Sequence, residues 1–96
     1  MAINLTVILK SKPENTATVK SLLLELVEKS TKEAVCLQYD LHQSMEESTI
    51  FIFHEVWENE AGLKIHNEQS YLISFFEKVK PLLQEAPIVY RTDKLA

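Results

Sequence analysis

The 96-residue chain is short of the residues that staple, bend or anchor a protein, with one Cys, one Gly and three Pro. Each shortage excludes something. A lone Cys36 forms no internal disulfide and completes no Cys-x-x-Cys pair, which points to a reducing compartment. No apolar run approaches the roughly 20 residues that a membrane-spanning helix needs. The opening "MAINLTVILK" lacks a basic leader and a small-residue cleavage site, and polar Asn4 and Thr6 interrupt it, so the expectation is a strand of a cytoplasmic protein. Positive charge is scarce too: ten Lys and Arg stand against fourteen Asp and Glu, a formal net charge of -4. That balance argues against nucleic acid or an anionic membrane as partner. There is no GxGxxG, P-loop, HExxH or GxSxG to tie the chain to a nucleotide, to zinc or to a serine nucleophile. His42, His54 and His66 lie on separate segments without the close pairing of a metal site, so neither a metal nor a stored cofactor is expected.

What the chain has is periodicity. Ile3, Leu5, Val7 and Leu9 alternate with polar residues as in a strand, and Pro13 and Glu14 mark a helix start. Val19, Leu22, Leu23, Leu26 and Val27 then recur at helical spacing. Val35, Leu37, Tyr39 and Leu41 form one face of a second strand, and "QSMEEST" is a hairpin. The third strand, "TIFIFHEVW", is apolar on both faces, with Ile50, Ile52 and Val56 on one and Phe51, Phe53 and Trp57 on the other. Asn59 caps a short helix "EAGLKIHN", Ser70 caps a longer one with Leu72, Phe75, Phe76, Val79, Leu82 and Leu83 on its stripe, and "IVYRTDKL" is a final strand. The order strand, helix, strand, strand, helices, strand predicts one α+β domain over residues 1–96, a ferredoxin-like sandwich with an antiparallel sheet and helices on one face. A chain this short buries only roughly 60 to 65% of its unfolded surface. With a strand that asks to be covered twice, this predicts a homodimer through the free face of the sheet.

Several side chains are candidates for chemistry. His66, at the end of the short helix, reads either as a general base or orienting group for a phenolic hydroxyl, or as a helix-end residue opposing the dipole. Trp57 reads as core packing or as a flat wall for an aromatic substrate. Phe51, Phe53, Leu72, Phe75 and Phe76 line whatever space lies between sheet and helices, or simply fill it. Asn4, an amide within an apolar strand, binds a substrate carbonyl or satisfies a neighbouring backbone group. Cys36 has no adjacent cation to lower its pKa and reads as structural.

The runs "CLQYDLHQS", "FIFHEVWENEAGLKIHNEQSYLISF" and "KPLL" resemble the antibiotic biosynthesis monooxygenase family, most specifically in W-E-N-E-A-x-L-x-x-H, Trp57 through His66, with Tyr71 five residues on. The resemblance covers nearly the whole chain and implies a dimeric α/β-barrel with one pocket per subunit. It also implies oxidation of a small aromatic or quinol-type compound by molecular oxygen without metal, flavin or haem. By position, His66 becomes the base or orienting group, Asn4 the polar contact, and Trp57, Phe51 and Phe53 the walls, with Leu72 and Phe76 beside them. The chain departs from the family in having Glu33, Ala34, Val35 and Cys36 where E-P-G-C is common, so the turn there is built differently. Phe76 at the position of an axial His, and His66 in place of a Trp, argue against the haem-degrading branch. An isomerase of a phosphorylated signalling sugar ranks third, since only Lys10, Lys12, Lys64 and Arg91 are available for a phosphate. The alternative to catalysis is a small-molecule-binding dimer of the same fold.

Overall fold

The computed structural model describes residues 1–96. Strand β1 (Ile3–Lys10) leads through a short 3-10 turn (Pro13–Asn15) into helix α1 (Thr16–Ser30). Strands β2 (Cys36–Gln43) and β3 (Ile50–Trp57) form a hairpin, followed by α2 (Glu60–Asn67), α3 (Ser70–Val79) and β4 (Ile88–Thr92). The sheet order is β2-β3-β1-β4 with every neighbouring pair antiparallel. This is the expected α+β ferredoxin-like fold.

Register decides which side chains share the interior. Leu9 pairs with Phe51, Val7 with Phe53 and Val89, and Leu5 with Glu55 and Arg91, so all of these point to the helical side. Side chains alternate along a strand, so a slip of one residue would send the whole apolar set into solvent. Against this face α1 buries Val19, Leu23 and Leu26, and α3 buries Leu72, Phe75 and Val79. Fifteen apolar residues form one core, each large side chain contributing about 1.5–3 kcal/mol of transfer free energy.

The opposite face carries no helix. Ile8, Ile52 and Val56 lie there half-buried, with exposed His42, His54, Ile88 and Tyr90 around them. The rings of His42 and His54 stand 5.5 Å apart. The double apolarity of β3 therefore has one face in the core and one left open.

The structure corrects several local expectations. In β2 the register shifts between Cys36 and Gln38, a bulge that leaves Leu37 unpaired and exposed and turns Tyr39 and Leu41 inward. Ser70 is the first residue of α3 rather than its cap; Gln69 holds the cap position and makes no side-chain cap bond. Asn59 does cap α2, its Oδ1 accepting from the Gly62 N–H at 2.8 Å. The helical stripe stops at Val79, and Leu82 belongs to a 3-10 turn containing Pro81, which has no N–H to continue an α-helix. From there Lys12 N donates to Leu82 O and Gln84 N to Lys10 O, which ties the return segment to the end of β1. The last strand ends at Thr92, so Asp93, Lys94 and Leu95 lie outside it.

The Glu33–Cys36 turn closes without Pro or Gly. Glu33 N donates to Ser30 O, Cys36 N donates to Glu33 O, and no residue of the chain has positive φ. Val35 packs onto the start of α2, where a Cβ on Gly62 would stand 2.8 Å from the Val35 Cβ. The sole glycine is there for close approach of turn and helix.

Candidate active site

Between the sheet and helices α2 and α3 lies a cavity of about 300 Å³. Its floor is a row across the sheet, Tyr39, Glu55, Leu5 and Arg91, with Val7 and Phe53 in the next row. Its roof is Leu63 and Asn67 of α2 and Leu72, Phe75 and Phe76 of α3. Phe76 is partly exposed and Arg91 largely so, which puts the opening at that edge. Arg91 pairs there with Glu60 at the N-terminus of α2.

Glu55 is the one carboxylate among the lining residues, and only 5% of its surface is exposed. Burial among apolar neighbours penalises its charged form and pushes its pKa up to about 7, while the bond from Trp57 pulls the other way. Trp57 Nε1 donates to Glu55 Oε1 at 2.9 Å, and no protein group donates to Oε2. Tyr39, beside it in the row, has its phenol pushed above the usual range by burial first and by the Glu55 charge second. Its ring packs on Phe53 with centroids 5.0 Å apart.

Of the residues expected at the site, Phe53, Leu72 and Phe76 line the cavity. Phe51 is buried one layer away, and Trp57 is fully buried behind Glu55, contributing its N–H rather than a wall. His66 is buried but does not line the cavity. Its ring packs on that of Trp57 with centroids 4.1 Å apart and lies edge-on to that of Tyr39 at 6.0 Å, and its Nδ1 donates to Glu33 Oε2 at 2.6 Å. The Tyr71 hydroxyl also donates to Glu33 Oε2, and burial, then this bond, raise the Tyr71 pKa. His66 is thus neither a solvent-facing helix end nor a group open to the cavity. The structure does not bring Asn4 and His66 to one site: Asn4 pairs with Val56 and Thr92, and strand alternation puts all three on the open face.

Glu55 escaped the sequence reading although a signal was present. It stands between Phe53 and Trp57 on the inward phase of β3, where an acid is out of place unless the fold gives it a partner. Glu33 gave no such signal, since its contact with His66 spans 33 residues and exists only when α2 folds over the turn.

Residues 3–78 match the family described as antibiotic biosynthesis monooxygenase, and the chain belongs to that family. It is 36% identical over 85 residues to a Bacillus subtilis protein named "Putative monooxygenase YcnE", covering 88% of this chain and 90% of that one. Among crystal structures, PA3566 from Pseudomonas aeruginosa superposes with a TM-score of 0.92 at 30% identity, over 99% of this chain and 95% of the other. A second, named antibiotic biosynthesis monooxygenase, superposes with a TM-score of 0.92 at 28% identity over all of both chains. No helix of this chain is long and apolar enough to cross a membrane.

Proposed function

We propose that this chain is a cofactor-independent monooxygenase that oxidises a small aromatic or quinol-type compound with molecular oxygen. The observation that carries the reading is the cavity itself, a largely apolar space with a single buried carboxylate, in a member of the antibiotic biosynthesis monooxygenase family. About 300 Å³ is at the lower end of ordinary ligand pockets, which favours a compact ring system over an extended one. The reaction balances without an outside reductant. A hydroquinone and O2 give a hydroxyquinone and water, the substrate supplying all four electrons while one oxygen atom enters the ring. Phe53, Leu72 and Phe76 hold the ring and exclude water, and apolar O2 enters the same space. His66, clamped to Glu33, packs on Trp57 and acts in this reading as an orienting group rather than as a base. The working form in this reading is a homodimer that covers Ile8, Ile52 and Val56, with Asn4 at that interface.

Oxygen uptake with a panel of hydroquinones tests the proposal, with Leu72→Trp, which fills the cavity, as control. Uptake that the substitution abolishes in a folded protein supports it. Binding of the same compounds without turnover would favour the small-molecule-binding dimer.

A further inference from the structure

Glu55 has one oxygen engaged by Trp57 and the other without a protein donor, on the wall of a cavity whose remaining lining is mostly apolar. A carboxylate so placed gains most from a ligand that brings a hydroxyl hydrogen to the free oxygen, since an unfilled acceptor in an apolar site costs the full desolvation of that group. Leu5, Val7, Phe53 and Leu72 offer contact to a ring, and Asn67 and Arg91 join Tyr39 as the other polar side chains of the lining. Tyr39 is the nearest polar neighbour in the row, and its phenol is held in the neutral form.

We infer that Glu55 accepts the proton of the substrate's phenolic hydroxyl, so that the ligand class of this cavity is a phenol presenting its O–H to Glu55 Oε2. This rests on the monooxygenase reading and names the residue through which it would act. In the step, the phenol O–H bond breaks, its electron pair stays on the phenolic oxygen, and an O–H bond forms on Glu55. The negative charge passes from the carboxylate to the phenolic oxygen, so no new charge is buried as the phenolate forms, and Arg91, the other charged residue of the lining, stays paired with Glu60 at the opening. The ring becomes electron-rich at the moment it is shielded from water. Burial suits the acid to this exchange, since a proton acceptor works best when its pKa lies near the working pH.

The test uses Glu55→Gln, which keeps the shape and the acceptor for Trp57 but loses the proton-accepting oxygen. Binding of phenol and of its methyl ether, anisole, is measured at pH 8 by equilibrium dialysis, alongside kcat/KM for a turned-over hydroquinone from pH 5 to 9. The expected results are a preference of about tenfold for phenol over anisole that collapses in the variant, and a loss of kcat/KM of about 100-fold or more. The wild-type kcat/KM should rise through a midpoint near 7, and that limb should vanish in the variant. A variant that keeps the phenol preference, or keeps kcat/KM within a few-fold with the same pH limb, overturns the inference. If wild type consumes no oxygen with any hydroquinone yet shows a phenol preference that depends on Glu55, the oxidation reading fails while the assigned contact is supported. Glu55→Asp, which retains the acid but withdraws it, should recover the pH limb at lower rate.

Discussion

Trp57 donates its indole N–H to Glu55, two residues earlier on the same face of the same strand, at 2.9 Å. The chain's only tryptophan thus serves a buried carboxylate while its ring rests on that of His66. Core and polar network meet at this one side chain, which reaches the cavity only through Glu55.

Glu55 makes stability depend on pH in a direction opposite to that of a salt-bridged acid. Its folded pKa, about 7, lies above the ordinary 4.5, so between those values the native state binds more protons than the unfolded chain. Stability from this group therefore falls as pH rises from about 4.5 through 7, by up to about 3 kcal/mol. Denaturant unfolding of wild type and Glu55→Gln at pH 5 and pH 8 checks it: the variant should gain on wild type at the higher pH, and a constant difference would refute the coupling.

Gly62 should not tolerate a side chain. Its Cβ would stand 2.8 Å from that of Val35, and since Val35 sits on the turn backbone the clash is not relieved by a rotamer change. Gly62→Ala should cost about 1–3 kcal/mol despite the better helix propensity of Ala. Val35→Ala in the same chain cannot move its own Cβ and should recover only part of that loss, which a double-mutant cycle measures.

Removing the imidazole tests what the Glu33 cluster is for. His66→Ala leaves the Glu33 carboxylate with Tyr71 and a long contact from Gln69 at 3.4 Å, and opens space beside Trp57. A loss of about 2–3 kcal/mol is expected from taking a donor away from a largely buried carboxylate and from the space opened beside Trp57. Phenol affinity should change far less, because His66 does not line the cavity. Equal loss of both, in a variant shown to be folded, would place His66 nearer the ligand than its position implies.

The open sheet face should join two copies. A charge placed among Ile8, Ile52 and Val56 would be buried in such an interface, so Ile52→Glu should shift the chain from dimer to monomer. Sedimentation velocity decides it, and a monomeric wild type would remove the proposed assembly.

Much of the fold was written in short-range pattern. Alternation along β1 and β3, the helical stripes of α1 and α3, and the Asn59 cap are local properties, and β1, β3, α2 and α3 formed within a residue or two of where their patterns begin, whereas Pro13 and Glu14 open a 3-10 turn and α1 itself starts at Thr16. The bulge at Leu37 was not legible, because pairing two residues against one is decided by the partner strand. Ser70 looked like a cap because its type favours one, but the helix begins a residue earlier than that role requires.

The chain by itself determined an α+β sandwich, an apolar interior and the aromatic side chains available to it, since periodicity follows from backbone geometry that every residue shares. Tertiary structure alone decided which of those residues face empty space. It put Phe53, Leu72 and Phe76 on the cavity, left Phe51 and Trp57 in packed layers behind, and sent Asn4 to the other side of the sheet. It also joined His66 to Glu33 and left Glu55 with a free oxygen in an apolar wall. Those relations depend on contacts between segments far apart in sequence, where the register of a sheet and the seating of a helix, rather than any local preference, set what a side chain meets.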